Sequence, residues 1–394
     1  MTRRRVVVTG MGAITSAGAG VEAFWRALVG GESQLRRASG LTGSNSGLQV
    51  GDVREPIPES SDRTAGFALA AASEAVRRAL LGKDDLKLKA GIALGTCLGC
   101  AEGMFAWIGQ AAGVTTARQS SAAILPPSGL GAPASMLASE YDLSGPVLTL
   151  SSACSSGTAA ISAAFDCVRR GEADIMLAGG ADALSHFVVS GFFVLGILTA
   201  SSMRPFDRRR DGLALGEGAG MLVLEERDQA VARGAPIVAE ILGSGSALDA
   251  HRMTGPSPEG DGLARAIAAA LRDAARGPGA VEFISAHGTA TVQNDRSETI
   301  AIKRTFGAAT RIPINSIKPI TGHTLGAAGA LEAIQCVQVI REGIVPPTVG
   351  CEEPDGDCDL DYVQGGARRT NVGCALSISS GFAGHNAALL VGRP

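Results

Sequence analysis

Apolar positions along the chain fall into two alternating patterns. Short continuous runs, long enough for a buried strand, are separated by stretches where apolar residues recur every three or four positions, the spacing of a helix packed on one side. Residues 5–10 read as a buried strand entering a glycine turn at Gly10-Met-Gly12, and 21–28 read as a helix. The Gly/Ser/Pro-rich stretch 39–61 reads as irregular surface chain. A helix follows over 64–81, stopped by Gly82, then a strand over 90–95, a helix within 99–113 and a loop at 126–133. Runs at 173–180 and 220–225 read as strands, the first apolar as expected where both faces are covered. After a linker at Arg233-Gly-Ala-Pro236 the alternation starts again, with strand 237–243, helix 262–275, strands 281–286 and 312–316, helix 326–341 and last strands 373–379 and 387–391. Two such rounds predict a duplicated α/β fold, with halves at 1–235 and 236–394 and sheets covered by helices.

One junction stands out. An apolar run ends at Ala153, Cys154 follows, and a small-residue helical pattern then runs to Gly171, a helix C-cap. The cysteine is therefore expected on a tight strand-to-helix turn, its sulfur at a helix N-terminus. Unpaired N–H groups there favour an anion. Such a thiol is expected to lose its proton more easily and to act as a nucleophile. The small residues Ser155, Ser156 and Gly157 leave room for a substrate carbonyl.

Composition narrows the function. The length of 394 residues suits two domains or one large duplicated one. A net charge of −3 and only 4% aromatic residues argue against a nucleic-acid-binding face. Three valines behind the basic start are too few for a signal-peptide core, and no apolar run approaches the roughly 20 residues of a membrane-spanning helix. The apolar run 191–198 is short and interrupted. A soluble cytoplasmic enzyme is expected. Its 8 cysteines read as free thiols. Cys97-Leu-Gly-Cys100 lacks the second pair a metal site wants and reads as two small buried residues; no metal site is predicted. Gly10-Met-Gly12 lacks the third glycine and the later acid of a dinucleotide fingerprint.

Three later segments end strands as Cys154 does. They carry His287 with Glu298 further on, Lys318 with His323, and the glycine-rich turn Gly381-Phe-Ala-Gly-His-Asn386. Taken singly, a histidine before a glycine reads as a turn residue, a lysine as a surface group and a buried cysteine as a small hydrophobe. Their common position is what connects them, since strand-exit loops are where α/β proteins build sites. The chain has only 5 histidines, and two lie in such loops.

These motifs resemble the β-ketoacyl-[acyl carrier protein] synthases, the condensing enzymes of fatty-acid and polyketide synthesis. The resemblance covers essentially the whole chain, from Val-Val-Val-Thr-Gly-Met-Gly at the start, through Ala-Cys-Ser-Ser-Gly at 153–157 and Arg-Pro-Phe-Asp-Arg-Arg-Arg-Asp-Gly at 204–212. It continues in His-Gly-Thr at 287–289, Lys-Pro-Ile-Thr-Gly-His at 318–323 and Gly-Phe-Ala-Gly-His-Asn at 381–386. It implies a thiolase-like duplicated core, layered α-β-α-β-α, with mixed, mostly parallel sheets. It implies Cys154 as acyl-accepting nucleophile, His287 and His323 on the malonyl thioester carbonyl, and Lys318 and Glu298 behind them. Phe382 would be a gate, its N–H making an oxyanion hole with that of Cys154. Thr289 and Thr291 would contact the pantetheine arm. No cofactor is implied. The partners implied are acyl carrier protein and a second subunit, usually in a homodimer.

The resemblance is not uniform. Ser380, Ala383 and His385 stand where the family's gating turn has Phe, Gly and Thr, and Val292 and Gln293 stand where Pro and a small residue are usual. The stretch 198–204 is a few residues shorter than in the common elongation enzymes. These positions bear on the acyl and pantetheine channels, so a specialised secondary-metabolite enzyme and a fatty-acid enzyme are both compatible with them. Carrier proteins are acidic, so Arg63, Arg208, Arg209 and Arg210 are candidates for a docking patch, with a solvated basic loop as the plainer reading of 208–210. Two rivals remain. A thiolase would bring a second cysteine near the C-terminus, where Phe382 stands. A non-catalytic chain-length partner would lack Cys154, although this chain fits the active half of such a heterodimer.

Overall fold

The computed structural model describes residues 4–38, 47–60, 62–82, 85–86, 89–111 and 128–394. Ten strands form its main sheet path. They are β1 (Val6–Thr15), β2 (Ala90–Gly95), β3 (Val147–Leu150), β4 (Ile175–Asp182), β5 (Gly218–Glu226), β6 (Ala239–Leu248), β7 (Phe283–Ser285), β8 (Ile314–Asn315), β9 (Cys374–Gly381) and β10 (His385–Gly392). Their order is β8-β7-β9-β10-β6-β1-β5-β4-β2-β3. Read outward from the centre, the second five repeat the first five one for one. In both, the outer pairs are parallel (β2 with β3 and β4; β7 with β8 and β9) and the inner pairs antiparallel. The mixed, duplicated arrangement expected from the alternation is present, and β1 meets β6 antiparallel through Val6–Val8.

The strands are apolar on both faces because both faces are covered. Side chains alternate across a strand. Leu222, Leu224, Leu389 and Val391 point into a central core, where they meet Ile161, Ala164 and Val168 of α2 (Ser156–Arg170) and Leu331, Ile334 and Val337 of α6 (Ala328–Glu342). Met221 and Val223 point outward against α1 (Arg63–Arg78). Ala388 and Leu390 point outward on the other side against α4 (Asp261–Asp273), with α5 (Val292–Phe306) beside it. Helix, sheet, helix pair, sheet and helix thus stack in five layers. The central pair can touch because glycines face each other: a Cβ on Gly329 would lie 2.1 Å from Thr158 Oγ1, and one on Gly157 would lie 2.6 Å from the Gly326 carbonyl.

Two details differ from the expectations, and a third adds to them. Gly10 and Gly12 lie inside β1, not in a turn; a Cβ at either would overlap the Ala75 or Ala71 carbonyl of α1 at 2.1 and 1.9 Å. These glycines serve helix–sheet contact. Within 39–61, residues 39–46 and 61 lie outside the described residues, but Gln49–Gly51 is a strand, paired with Arg36–Arg37 and Leu215–Gly216. The first half of the apolar run 191–198 is the end of a helix, α3 (His186–Val194), capped by Ser185, whose Oγ accepts the Val188 N–H. The loop at 126–133 and the helix at 99–113 fall partly outside the described residues. All eight cysteines are free, Cys97 and Cys100 included. Among the described residues no helix is long and apolar enough to cross a membrane.

Candidate active site

Cys154 sits between β3 and α2 on the predicted turn. The turn is tight because Ala153 takes a left-handed conformation, φ 52°. Local polar contacts hold it there. Ser155 Oγ donates to the Ser152 carbonyl at 2.8 Å, and Ser156 Oγ accepts the Ser152 N–H at 2.9 Å. The sulfur is nearly out of reach of solvent, with Cys154 5% exposed. Backbone N–H groups of Phe382 and of Cys154 itself donate to it.

His287 leaves β7 and faces His323, which follows β8 and the single helical turn Lys318–Thr321. The two rings stand edge to face with centroids 5.4 Å apart. Lys318, 1% exposed, lies behind them. Its Nζ is 3.4 Å from His287 Nδ1, donates to the His287 carbonyl and forms an ion pair with Glu332 of α6. An ammonium has no acceptor, so the facing Nδ1 accepts and the imidazole proton resides on Nε2. Glu298 of α5 fixes the loop backbone, accepting the N–H groups of His287 at 2.6 Å and Gly288 at 2.8 Å. The His323 backbone is tied to the small sheet, its N–H donating to Ala214 and its carbonyl accepting from Gly216.

Burial dominates the electrostatics. It pushes the Cys154 thiol up to about 12; Lys318 pulls the other way, and Asp182 adds to the rise. The ready ionisation expected of a helix N-terminus is therefore not found in the resting site, because desolvation outweighs the backbone donors. Burial, followed by the charge of Lys318, holds both His287 and His323 well below the usual histidine range, so both are neutral. Burial also raises Glu298 to about 8, against the pull of its backbone donors.

Cys154, His287, His323 and Phe382 line one cavity of about 280 Å³ together with Thr289 and Thr291. The Phe382 ring stacks on Phe192 of α3 at 5.6 Å. Of the unusual positions, Val292, Gln293 and Ser380 line the cavity. Ala383 and His385 are not among its lining residues; Ala383 instead takes the left-handed turn, φ 60°. Two carboxylates escaped the sequence reading. Glu332 gives Lys318 its ion-pair partner and accepts from Ser379 Oγ at 3.3 Å. The available signal was a glutamate, with Gln335, in an otherwise apolar stretch of helix. Asp182, at the end of β4, accepts N–H groups from Cys97, Leu98 and Gly326 and the Thr96 hydroxyl, tying the loop after β2 to the turn before α6.

The arginines are placed differently from the expected docking patch. Arg210 is buried, pairs with Asp355 at 2.6 Å and faces Asp295 at 3.7 Å, so it leaves the candidate set. Arg63 binds Glu217 and stacks on Phe67 at 4.7 Å. Arg209 is held by Asp207 and Glu352, and Arg208 pairs with Glu353. Arg63 and Arg209 each have a buried carboxylate partner, Glu217 and Asp207, which discounts their charge toward an outside one, whereas the Arg208–Glu353 pair is exposed on both sides and leaves Arg208 in the candidate set.

A buried thiol facing two neutral imidazoles across one cavity, on a duplicated five-layer fold, defines a condensing-type thiolase-like enzyme. Models of the beta-ketoacyl synthase N-terminal domain (residues 3–49 and 49–230) and C-terminal domain (238–352) both match, and the chain belongs to that family. It is 40% identical to nodulation protein E of Rhizobium sp. (strain N33), over 98% of this chain and 98% of that protein. It is 36% identical to 3-oxoacyl-[acyl-carrier-protein] synthase 2 of Coxiella burnetii, over 100% and 99%. The solved ishigamide ketosynthase/chain length factor superposes with a TM-score of 0.92 at 37% identity, covering 100% of both chains.

Proposed function

We propose that this chain is a 3-oxoacyl-[acyl carrier protein] synthase that condenses an acyl group held on Cys154 with malonyl-[acyl carrier protein]. The observation that carries the reading is the convergence of Cys154, His287 and His323 on one cavity from three separate strand exits. In the first half-reaction the sulfur attacks the acyl thioester carbonyl. The Cys154 and Phe382 N–H groups, which already point at the sulfur, stabilise the tetrahedral oxyanion. The carrier thiolate leaves and takes up the proton the cysteine lost. In the second, the carbon–carbon bond to the malonyl carboxylate breaks and carbon dioxide departs. Its electron pair forms an enolate, whose oxygen accepts N–H bonds from the two neutral imidazoles. The enolate carbon attacks the acyl-cysteine carbonyl, the carbon–sulfur bond breaks with the Cys154 thiolate as leaving group, a 3-oxoacyl thioester departs, and the thiolate takes a proton from solvent to restore the resting thiol.

Thr289 and Thr291, whose hydroxyls lie 3.0 Å apart in the cavity wall, would hold the pantetheine amides. Lys318 acts through His287 by fixing its tautomer, and Glu298 through the loop backbone. Residues 1–235 would supply the nucleophile and 236–394 the charge-handling groups. The eight free thiols suit a cytoplasmic setting. A thiolase is disfavoured: Cys374 is 8% exposed, outside the cavity lining, and its neighbours are Arg276 and Glu282.

The likeness to a ketosynthase/chain length factor favours a second reading of the assembly, in which this chain is the catalytic half of a heterodimer. The test is product formation from acyl carrier and malonyl carrier, by the chain alone and with a candidate partner, each first sized by gel filtration. Carbon dioxide and a 3-oxoacyl carrier from the chain alone support a self-sufficient homodimer. Product only with the partner supports the heterodimer, and no product in either case contradicts the function.

A further inference from the structure

A second cavity of about 210 Å³ adjoins the reactive one and shares three of its walls, Pro256, Val292 and Gln293. Its remaining lining is His251, Arg252, Pro258 and Arg296. Among the described residues no acidic side chain lines it. Arg252 is exposed and has no ion-pair partner among the described residues. Arg296 reaches only Asp357, at 3.4 Å, with both side chains more than half exposed, a contact that water screens. This contrasts with Arg63, Arg209 and Arg210, whose charges are held by internal carboxylates.

We propose that Arg252 and Arg296, with His251, bind the phosphate of the phosphopantetheine arm that delivers the acyl and malonyl thioesters. The inference rests on the condensing function above and adds an anion subsite to it. Continuity of the two cavities is what connects them: an arm with its thioester at Cys154 passes Thr289 and Thr291, then Val292 and Gln293, and its phosphate end lies where the lining turns cationic. Guanidinium groups suit this because they donate to phosphate oxygens in pairs and stay charged at every working pH. The free arm ends in a phosphomonoester and the carrier-bound arm in a phosphodiester with one charge fewer; both keep unesterified oxygens that guanidinium groups can bind, so the subsite serves either source, with the smaller charge on the carrier-bound arm.

Acylation of Cys154 by acyl-phosphopantetheine and by acyl-pantetheine, identical except for the phosphate, tests this in wild type and in an Arg252→Ala/Arg296→Ala variant. Intact-protein mass gives each rate. Wild type is expected to prefer the phosphorylated thioester by at least about tenfold, the order expected of charge-assisted contacts. The variant is expected to bring the ratio close to one, and an Arg252→Lys/Arg296→Lys variant to retain part of it. Because the readout is a ratio within one protein, a general loss of folding or activity does not imitate the result. Equal rates in wild type, or a preference that survives the double alanine change, overturns the subsite while leaving the function intact. The carrier-bound thioester serves as a third arm. A variant slowed with the carrier alone, and not with the free phosphorylated arm, assigns these arginines to the carrier's protein surface and overturns the phosphate assignment. Acylation of wild type by none of the three donors overturns the condensing function, and the subsite with it.

Discussion

The turn at Cys154 and the loop from Lys318 to His323 occupy equivalent places in the two halves. Each follows the outermost strand of its five and leads into one of the two central helices. Their chemistry is opposite. The first offers a small nucleophile on a strained turn, fastened by serine hydroxyls, and brings no charge. The second brings a buried ammonium, an imidazole and, one helix turn further on, the carboxylate that balances the ammonium. The fold repeats where packing demands it, while in the proposed reaction the two exits divide bond-making from charge-handling.

The largest effect expected on this division comes from unbalancing the second loop. Glu332→Ala leaves the Lys318 charge buried without its partner and should cost about 3–5 kcal/mol of unfolding free energy, read from the denaturation midpoint. A change below about 1 kcal/mol would mean that Lys318 is not held as an ion pair. Arg210→Ala, which strips Asp295 of its cation, should fall in the same range of about 3–5 kcal/mol, whereas a docking arginine would leave the midpoint in place.

Next comes His287→Ala, expected to lower the condensation rate by about 10²–10³, as loss of one oxyanion donor does, with acylation of Cys154 largely retained. Equal losses in both half-reactions would erase the division of labour.

The first turn is sharpened by pH. The thiol lies at about 12, so its ionised fraction grows about tenfold per pH unit between pH 7 and 9. Alkylation of resting Cys154 by iodoacetamide should follow that slope without a plateau, and a plateau below pH 8 would restore the low thiol value expected of a helix N-terminus. Over the same range the imidazoles stay neutral, being held well below 6.5, so decarboxylation should show no step from histidine titration between pH 7 and 9. The smallest effect belongs to Arg208→Ala: its pair with Glu353 is exposed on both sides, and stability should not change measurably.

Much of this was readable in the chain. Buried strands announce themselves as apolar runs, and the turn at Cys154 as a run that breaks into small residues. What could not be read shares one physical cause, which is that local pattern does not report what covers a residue. The run Arg208-Arg209-Arg210 looks like one basic loop, yet its last member is buried against Asp295 and Asp355. Gly10 and Gly12 look like a turn, but their role is set by a helix more than fifty residues away in sequence. Glu332 is visible as a charge in an apolar helix, but its partner Lys318, reached across the buried site, is not written in that local pattern. The thiol illustrates the same limit, since a helix N-terminus is visible in sequence and the depth of its burial is not.

In the proposed reaction Cys154 carries the acyl group and the groups of the second half remove it. The direct measurement is intact-protein mass of wild type, Cys154→Ala and His323→Ala, each incubated with acyl carrier thioester and then with malonyl carrier. An acyl adduct is expected on wild type that malonyl carrier clears, an adduct on His323→Ala that persists, and none on Cys154→Ala. An adduct on Cys154→Ala, or one cleared as fast from His323→Ala as from wild type, would contradict it.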